Sequence, residues 1–169
     1  RDRKERYMKV FLTGSKQIGK STLIQKFIQE NQVPCSGYIT LPYFEKDERI
    51  GFYLHSLVSL ERNDILFSHG KQVVKGVFDD FGVEILEHSN SGLLILDEIG
   101  FLERDERKYL DVLIKKIKEY PNVLGVCRKI DISYIEEIKH LPEVIVYDLD
   151  HCDFEEVKKS IETLWAMKK

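Results

Sequence analysis

The sequence predicts an α/β fold, doubly wound around a mostly parallel central sheet, and three observations carry that prediction. Strand-like runs alternate with segments of helical spacing along almost the whole chain. The run Leu93-Leu94-Ile95-Leu96 is apolar without alternation, as expected of a strand covered on both faces. A glycine-containing turn at residues 14–19 stands between the first strand-like run and the first helical one. A length of 169 residues suits a single hydrophobic core. One domain is expected over residues 8–169, with residues 1–7 an extension or expression remnant outside the fold.

The elements follow in order. Residues 9–13 form the first strand, and after the glycine turn Leu23, Ile24, Phe27 and Ile28 recur at helical spacing. Residues 31–34 close that helix. Residues 37–41 and 50–60, rich in Tyr, Phe, Ile and Val, predict two strands joined by a charged turn at 45–49, a hairpin insert. Residues 63–75 show no readable period, with Gly70 and Gly76 as breakers. Phe78, Phe81, Ile85 and Leu86 mark a helix over 78–88, and the turn at 89–92 leads into the apolar run. Leu110, Leu113, Ile114 and Ile117 make residues 107–120 an amphipathic helix that Pro121 stops. A buried strand at 123–127, a short helix at 133–140, a last strand at 144–147 and a helix at 154–167 complete the chain.

Composition narrows the function classes. Hydrophobic residues at 43% and charged residues at 33% exclude collagen-like and wholly disordered chains. Lysine and arginine total 26 against 29 acidic residues, a net charge of -3, so nucleic acid is not expected as the main partner. Cys35, Cys127 and Cys152 lack metal or disulfide spacing and read as reduced thiols of a cytoplasmic protein. No apolar stretch approaches the roughly 20 residues a bilayer span needs, and the charged start is no signal peptide. No membrane attachment is expected, and the assembly is expected to be a monomer or weak oligomer.

The chemistry-bearing residues begin in the glycine turn. Gly14-Ser15-Lys16-Gln17-Ile18-Gly19-Lys20-Ser21 matches G-x-x-x-x-G-K-[ST] without a gap, between a strand and a helix. Glycines let the backbone N–H groups turn inward as an anion nest at the helix N-terminus. Lys20 then reaches the β and γ phosphates of a nucleoside triphosphate, Ser21 ligates Mg²⁺, and Thr22 bonds the α phosphate. The competing interpretation is a glycine turn with an incidental lysine. Asp97-Glu98 supplies the second half, since carboxylates leaving a buried strand enter the crevice where open α/β sheets bind ligands. Asp97 is expected to hold the Mg²⁺ shell through water, and Glu98 to orient or deprotonate the attacking water. A solvated acidic turn is the bland alternative.

These residues resemble a family. Lys9-Val10-Phe11-Leu12-Thr13-Gly14, the phosphate loop, Gly51-Phe52, Gly70-Lys71 and above all Leu96-Asp97-Glu98-Ile99-Gly100-Phe101-Leu102-Glu103 look like the small nucleoside-triphosphatases of the THEP1 type, also called cancer-related nucleoside-triphosphatases. The resemblance covers about residues 9–147. It implies a RecA-like P-loop fold, a three-layer sandwich, and Mg²⁺-dependent hydrolysis of ATP, GTP and other nucleoside triphosphates with loose base selectivity. It also implies that residues 14–21 bind the triphosphate and that Leu93, Leu94, Ile95, Leu96, Asp97, Glu98, Ile99 and Gly100 form a second binding segment. Arg128 matches an arginine of the family's His-Arg-Arg-like stretch and becomes the candidate for stabilising charge on the transferring phosphoryl group. The chain departs from the family at Cys127, where a histidine is usual, at Lys16-Gln17, where proline is frequent, and at Gln72, where tyrosine is usual.

Several residues keep two interpretations. Lys16 either adds charge beside the γ phosphate or points to solvent. Arg128-Lys129-Ile130-Asp131 echoes the guanine-reading N-K-x-D motif but lacks its asparagine, so a solvated turn competes. Trp165 reads as packing rather than a base platform, as do Tyr53 and Phe44, and Glu103 either starts a solvated helix or supports Glu98. The leading functional expectation is a nucleoside-triphosphate hydrolase that uses Lys20, Glu98 and Arg128. A small-molecule kinase and a nucleotide-binding switch stand behind it.

Overall fold

A computed structural model describes residues 7–167. The extension expected at residues 1–7 lies outside the described residues except for Tyr7. In chain order the elements are β1 (Met8–Thr13), α1 (Lys20–Asn31), β2 (Cys35–Glu45), β3 (Glu48–Ser56), β4 (Asp64–His69) and β5 (Gln72–Val73). A π-helical turn at Phe78–Gly82 runs into α2 (Val83–Glu87), followed by β6 (Leu93–Ile99), α3 (Arg107–Glu119) and β7 (Asn122–Cys127). Then come α4 (Ser133–Lys139), β8 (Val144–Asp148) and α5 (Phe154–Ala166).

All eight strands join one sheet in the order β5-β4-β3-β2-β6-β7-β1-β8. From β2 to β8 the neighbours pair in parallel, and from β2 to β5 they pair antiparallel. Strand alternation divides the apolar side chains between two cores. Met8, Val10, Leu12, Leu93 and Ile95 pack with Leu23, Ile24 and Phe27 of α1 and Val157 and Ile161 of α5. Phe11, Leu94, Leu96 and Ile99 face the other way, against α2, α3 and α4 through Leu86, Leu113, Ile117 and Ile135. Helices therefore cover both faces, giving a three-layer α/β sandwich.

The insert is larger than a hairpin. β2 uses Cys35–Ile39 to pair with β6 and Tyr38–Glu45 to pair with β3, so one strand joins the parallel and antiparallel parts. Gly37 makes the junction possible: its φ is 92°, and a Cβ there would lie 2.0 Å from the Ile95 carbonyl oxygen. Lys46 and Asp47, with φ of 51° and 65°, form the two-residue turn whose twist suits a hairpin. Residues 63–75 contribute β4 and β5, which show no period because β4 is only partly buried and β5 is two residues long.

Candidate active site

Because β6, β7, β1 and β8 are adjacent and parallel, their carboxyl ends open along one edge of the sheet. That edge gathers Gly14 after β1, Asp97 and Glu98 at the end of β6, Arg128 after β7, and Asp148 at the end of β8.

The phosphate loop folds through positive φ at Gly14 (143°), Gln17 (62°) and Gly19 (110°). Gly14 is buried, whereas Ser15, Lys16, Gln17 and Ile18 are exposed along the edge. Lys20 Nζ donates to the carbonyls of Gly14 at 2.7 Å and Ser15 at 3.1 Å, which lays the ammonium over the loop. Two helix N-termini show how the loop differs from an ordinary helix start. At α5, Asp153 accepts from the Glu156 N–H at 3.1 Å and Glu155 and Glu156 occupy the first turn. At α1, Gly19 offers no side-chain cap and the first turn holds no acid. The first N–H groups of α1 and its partial positive charge thus remain for an anion. Ser21 and Thr22 stand exposed on that first turn.

Across from the loop, Asp97 is 5% exposed and accepts from Ser21 Oγ at 3.1 Å. Burial pushes its carboxyl up to about 6, against the Ser21 hydrogen bond and the Lys20 charge, with Glu98 adding to the rise. Burial also raises Glu98, and Lys20, Arg128 and Lys16 hold it back. Lys16 is exposed, yet its charge reaches Glu98, so it belongs to the site's field. No group of three or more His, Cys, Asp or Glu side chains that could hold a metal occurs among the described residues. The adjoining Ser21 Oγ and Asp97 Oδ1 are instead an all-oxygen pair of the kind that holds Mg²⁺ when phosphates and waters complete the shell.

The turn after Glu98 is fixed from both sides. Gly100 N–H donates to Glu103 Oε2 at 3.1 Å, and the Gly100 carbonyl accepts from the Tyr134 hydroxyl. Glu103 is 2% exposed, and burial pushes its carboxyl up to about 7 despite the bond from Gly100. It is a buried support for the Glu98 turn, not a solvated helix start. Arg128 enters from β7, its N–H donating to the Ile99 carbonyl at 2.9 Å, with its guanidinium 4.9 Å from the Phe101 ring centroid.

A family model described as NTPase matches residues 9–162. A nucleoside-triphosphatase THEP1 of Thermotoga maritima is 31% identical over 152 residues, covering 85% of this chain and 87% of the relative. The chain belongs to the THEP1-type nucleoside-triphosphatase family. Two solved structures share its fold. The crystal structure of THEP1 from Aquifex aeolicus superposes with a TM-score of 0.70 at 24% identity, covering 92% of this chain and 99% of the other. The solution structure of a human cancer-related nucleoside triphosphatase gives a TM-score of 0.71 at 21% identity, over 96% and 99%.

Within this THEP1-type chain the second binding segment narrows. Leu93, Leu94, Ile95, Leu96 and Ile99 are 0% exposed and divided between the two cores, so they offer no surface to a nucleotide. A parallel strand covered on both faces can present ligand-facing groups only at its end, which leaves Asp97 and Glu98. Gly100 is buried and its peptide is committed to Glu103 and Tyr134. Trp165 packs edge-on against Phe27 at 6.4 Å. Asp150 also meets the phosphate loop, and Lys129 meets Asp150; sequence reasoning passed over Asp150 and read Lys129 only as part of the guanine-reading echo. The signal was available in Tyr147-Asp148-Leu149-Asp150, where carboxylates leave the last strand just as Asp97 leaves β6.

Proposed function

We propose that this nucleoside-triphosphatase hydrolyses ATP, GTP and other nucleoside triphosphates to the diphosphate and phosphate, with Mg²⁺ as cofactor and loose base selectivity. The observation that carries the proposal is the phosphate loop itself, with Lys20 Nζ laid over the Gly14 and Ser15 carbonyls at its rim and the Ser21–Asp97 pair beside it. Phosphoryl transfer asks little covalent chemistry of the protein, so positioning and charge stabilisation do the catalysis.

Loop N–H groups other than those of Ser15 and Ile18, which are held by Asp150 and the Ser15 carbonyl, bind the phosphates with the start of α1, and Lys20 exchanges its carbonyl partners for β and γ oxygens. Ser21 and Asp97 would hold Mg²⁺, which when bound neutralises charge on the β and γ phosphates. Glu98, raised by burial, orients the attacking water and takes its proton, so turnover rises with pH as its base form fills. Arg128, braced on Phe101, stabilises charge on the transferring group. Loose base selectivity is supported by Asp131, the candidate for reading guanine, which stands exposed. Three unpaired cysteines suit a reducing cytoplasm. No helix among the described residues is long and apolar enough to cross a membrane.

A phosphate-release panel over ATP, GTP, CTP, UTP and ITP, with and without Mg²⁺, tests the proposal. Release is expected from all five, at rates within about one order of magnitude of one another, and only with the metal. Release confined to one base would overturn loose selectivity. Phosphoryl transfer to an added nucleoside or nucleotide in place of phosphate release would favour a kinase.

A further inference from the structure

Three loops meet at one carboxylate beside the phosphate loop. Leu149 N–H donates to the Thr13 carbonyl at 2.9 Å, extending the β1–β8 pairing and bringing Asp150 alongside the residue that follows Gly14. Asp150 then accepts twice from the Ser15 N–H, at 3.0 Å on Oδ1 and 3.1 Å on Oδ2, and once from Ser15 Oγ at 2.9 Å on Oδ2. Lys129, from the loop after β7, closes the group with Nζ 2.8 Å from Asp150 Oδ2 and 2.9 Å from Asp148 Oδ2. The Asp150 N–H donates to Asp148 Oδ1 at 2.9 Å, which sets the turn. The Asp150 side chain is only 20% exposed.

A carboxylate next to an anion-binding loop opposes the anion, and Lys129 offsets that charge. What the carboxylate contributes is a fixed peptide plane. Ser15 has its N–H and hydroxyl committed to Asp150, while its carbonyl accepts from Lys20 Nζ at 3.1 Å and from the Ile18 N–H at 3.3 Å. One residue thus links the outer clamp to the lysine that addresses the phosphates. Lys129 is the immediate neighbour of Arg128, so the same clamp spans the loop and the arginine's own segment.

We propose that Asp150 is a positioning residue which, with Lys129, holds the phosphate loop in its anion-cradling shape and ties it to the segment that carries Arg128. The proposal rests on residues 14–21 being the triphosphate site and assigns neither clamp residue a contact with the nucleotide.

The test is titration calorimetry of the full chain with ADP and with a non-hydrolysable ATP analogue, alongside thermal unfolding. Asp150→Ala is expected to weaken both ligands by about tenfold, since the loop cradles phosphates common to both. Asp150→Asn should recover part of that loss, because an amide oxygen still accepts from the Ser15 N–H. Lys129→Ala should also weaken both ligands, and the double variant should bind no worse than Asp150→Ala, as for residues acting as one unit. Lys129 is a surface side chain, so its variant tests the clamp even where Asp150→Ala fails to fold. Unchanged affinity in folded variants with lowered melting temperatures would reduce the clamp to a staple and overturn the proposal, as would additive losses. A parent chain that binds neither ligand would bring down the proposed function itself, and the clamp with it.

Discussion

The parallel strands β6, β7, β1 and β8 and the antiparallel ribbon β2–β5 belong to one sheet, yet only the first group carries the candidate chemistry. In the parallel part every strand returns to the same edge after a helix, so four strand ends place Gly14, Asp97, Arg128 and Asp148 side by side. In the ribbon, successive strands run in opposite directions and their turns fall at alternate ends. Its side chains are spent on packing instead: Phe52 on Phe67 at 6.4 Å, Phe67 on Phe78 at 5.0 Å, and Leu54 in the core. Backbone direction, more than membership of the sheet, decides where chemistry can assemble.

The largest expected effect tests the parallel edge. Glu98→Gln should lower kcat by about 10²–10⁴ while triphosphate affinity by calorimetry stays within about threefold, as loss of a general base predicts. Unchanged turnover would remove Glu98 from the mechanism. In the ribbon, Leu54→Ala should cost about 2–5 kcal/mol of stability, read from urea unfolding, through the cavity it leaves, with kcat of the folded chain unaltered. A fall in kcat there would erase the division between the two regions. Lys20→Ala, back at the edge, should weaken triphosphate binding by about 1.5–3 kcal/mol, roughly ten- to a hundredfold, for the loss of a charged donor.

The smallest effect concerns Glu103, beneath the Glu98 turn. Its folded pKa of about 7 lies above the ordinary glutamate value of 4.5, so the folded state binds the extra proton between those values. Stability therefore falls as pH rises from about 4.5 to 7, and the penalty is fully present above 7. Glu103→Gln should gain on the order of 2 kcal/mol at pH 8 and nothing at pH 4. Equal gains at both pH values would mean that the carboxyl does not titrate in this window.

Legibility differed in the same two regions. Strands covered on both faces are continuous apolar runs, and helices against them repeat at Leu110, Leu113 and Ile117, so the parallel half could be read residue by residue. β4 has buried residues only at Phe67 and Ser68, and β5 has none, so residues 63–75 gave no period to read. The site divided too. Lys20, Ser21 and Asp97 stand in contiguous motifs, whereas Glu103 looked like part of a charged surface run until its burial under Gly100 was visible.

By itself the sequence determined the phosphate loop, the carboxylates ending β6 and the apolar faces that make a layered α/β domain, because each is a local pattern of spacing. Tertiary structure decided the rest. It buried Leu93 to Leu96 away from any ligand, split β2 between two kinds of pairing, and set Asp150 on Ser15 across 135 residues of chain. Those outcomes depend on which strands become neighbours, and strand order is fixed by packing helices onto both faces of the sheet, not by any short run of residues.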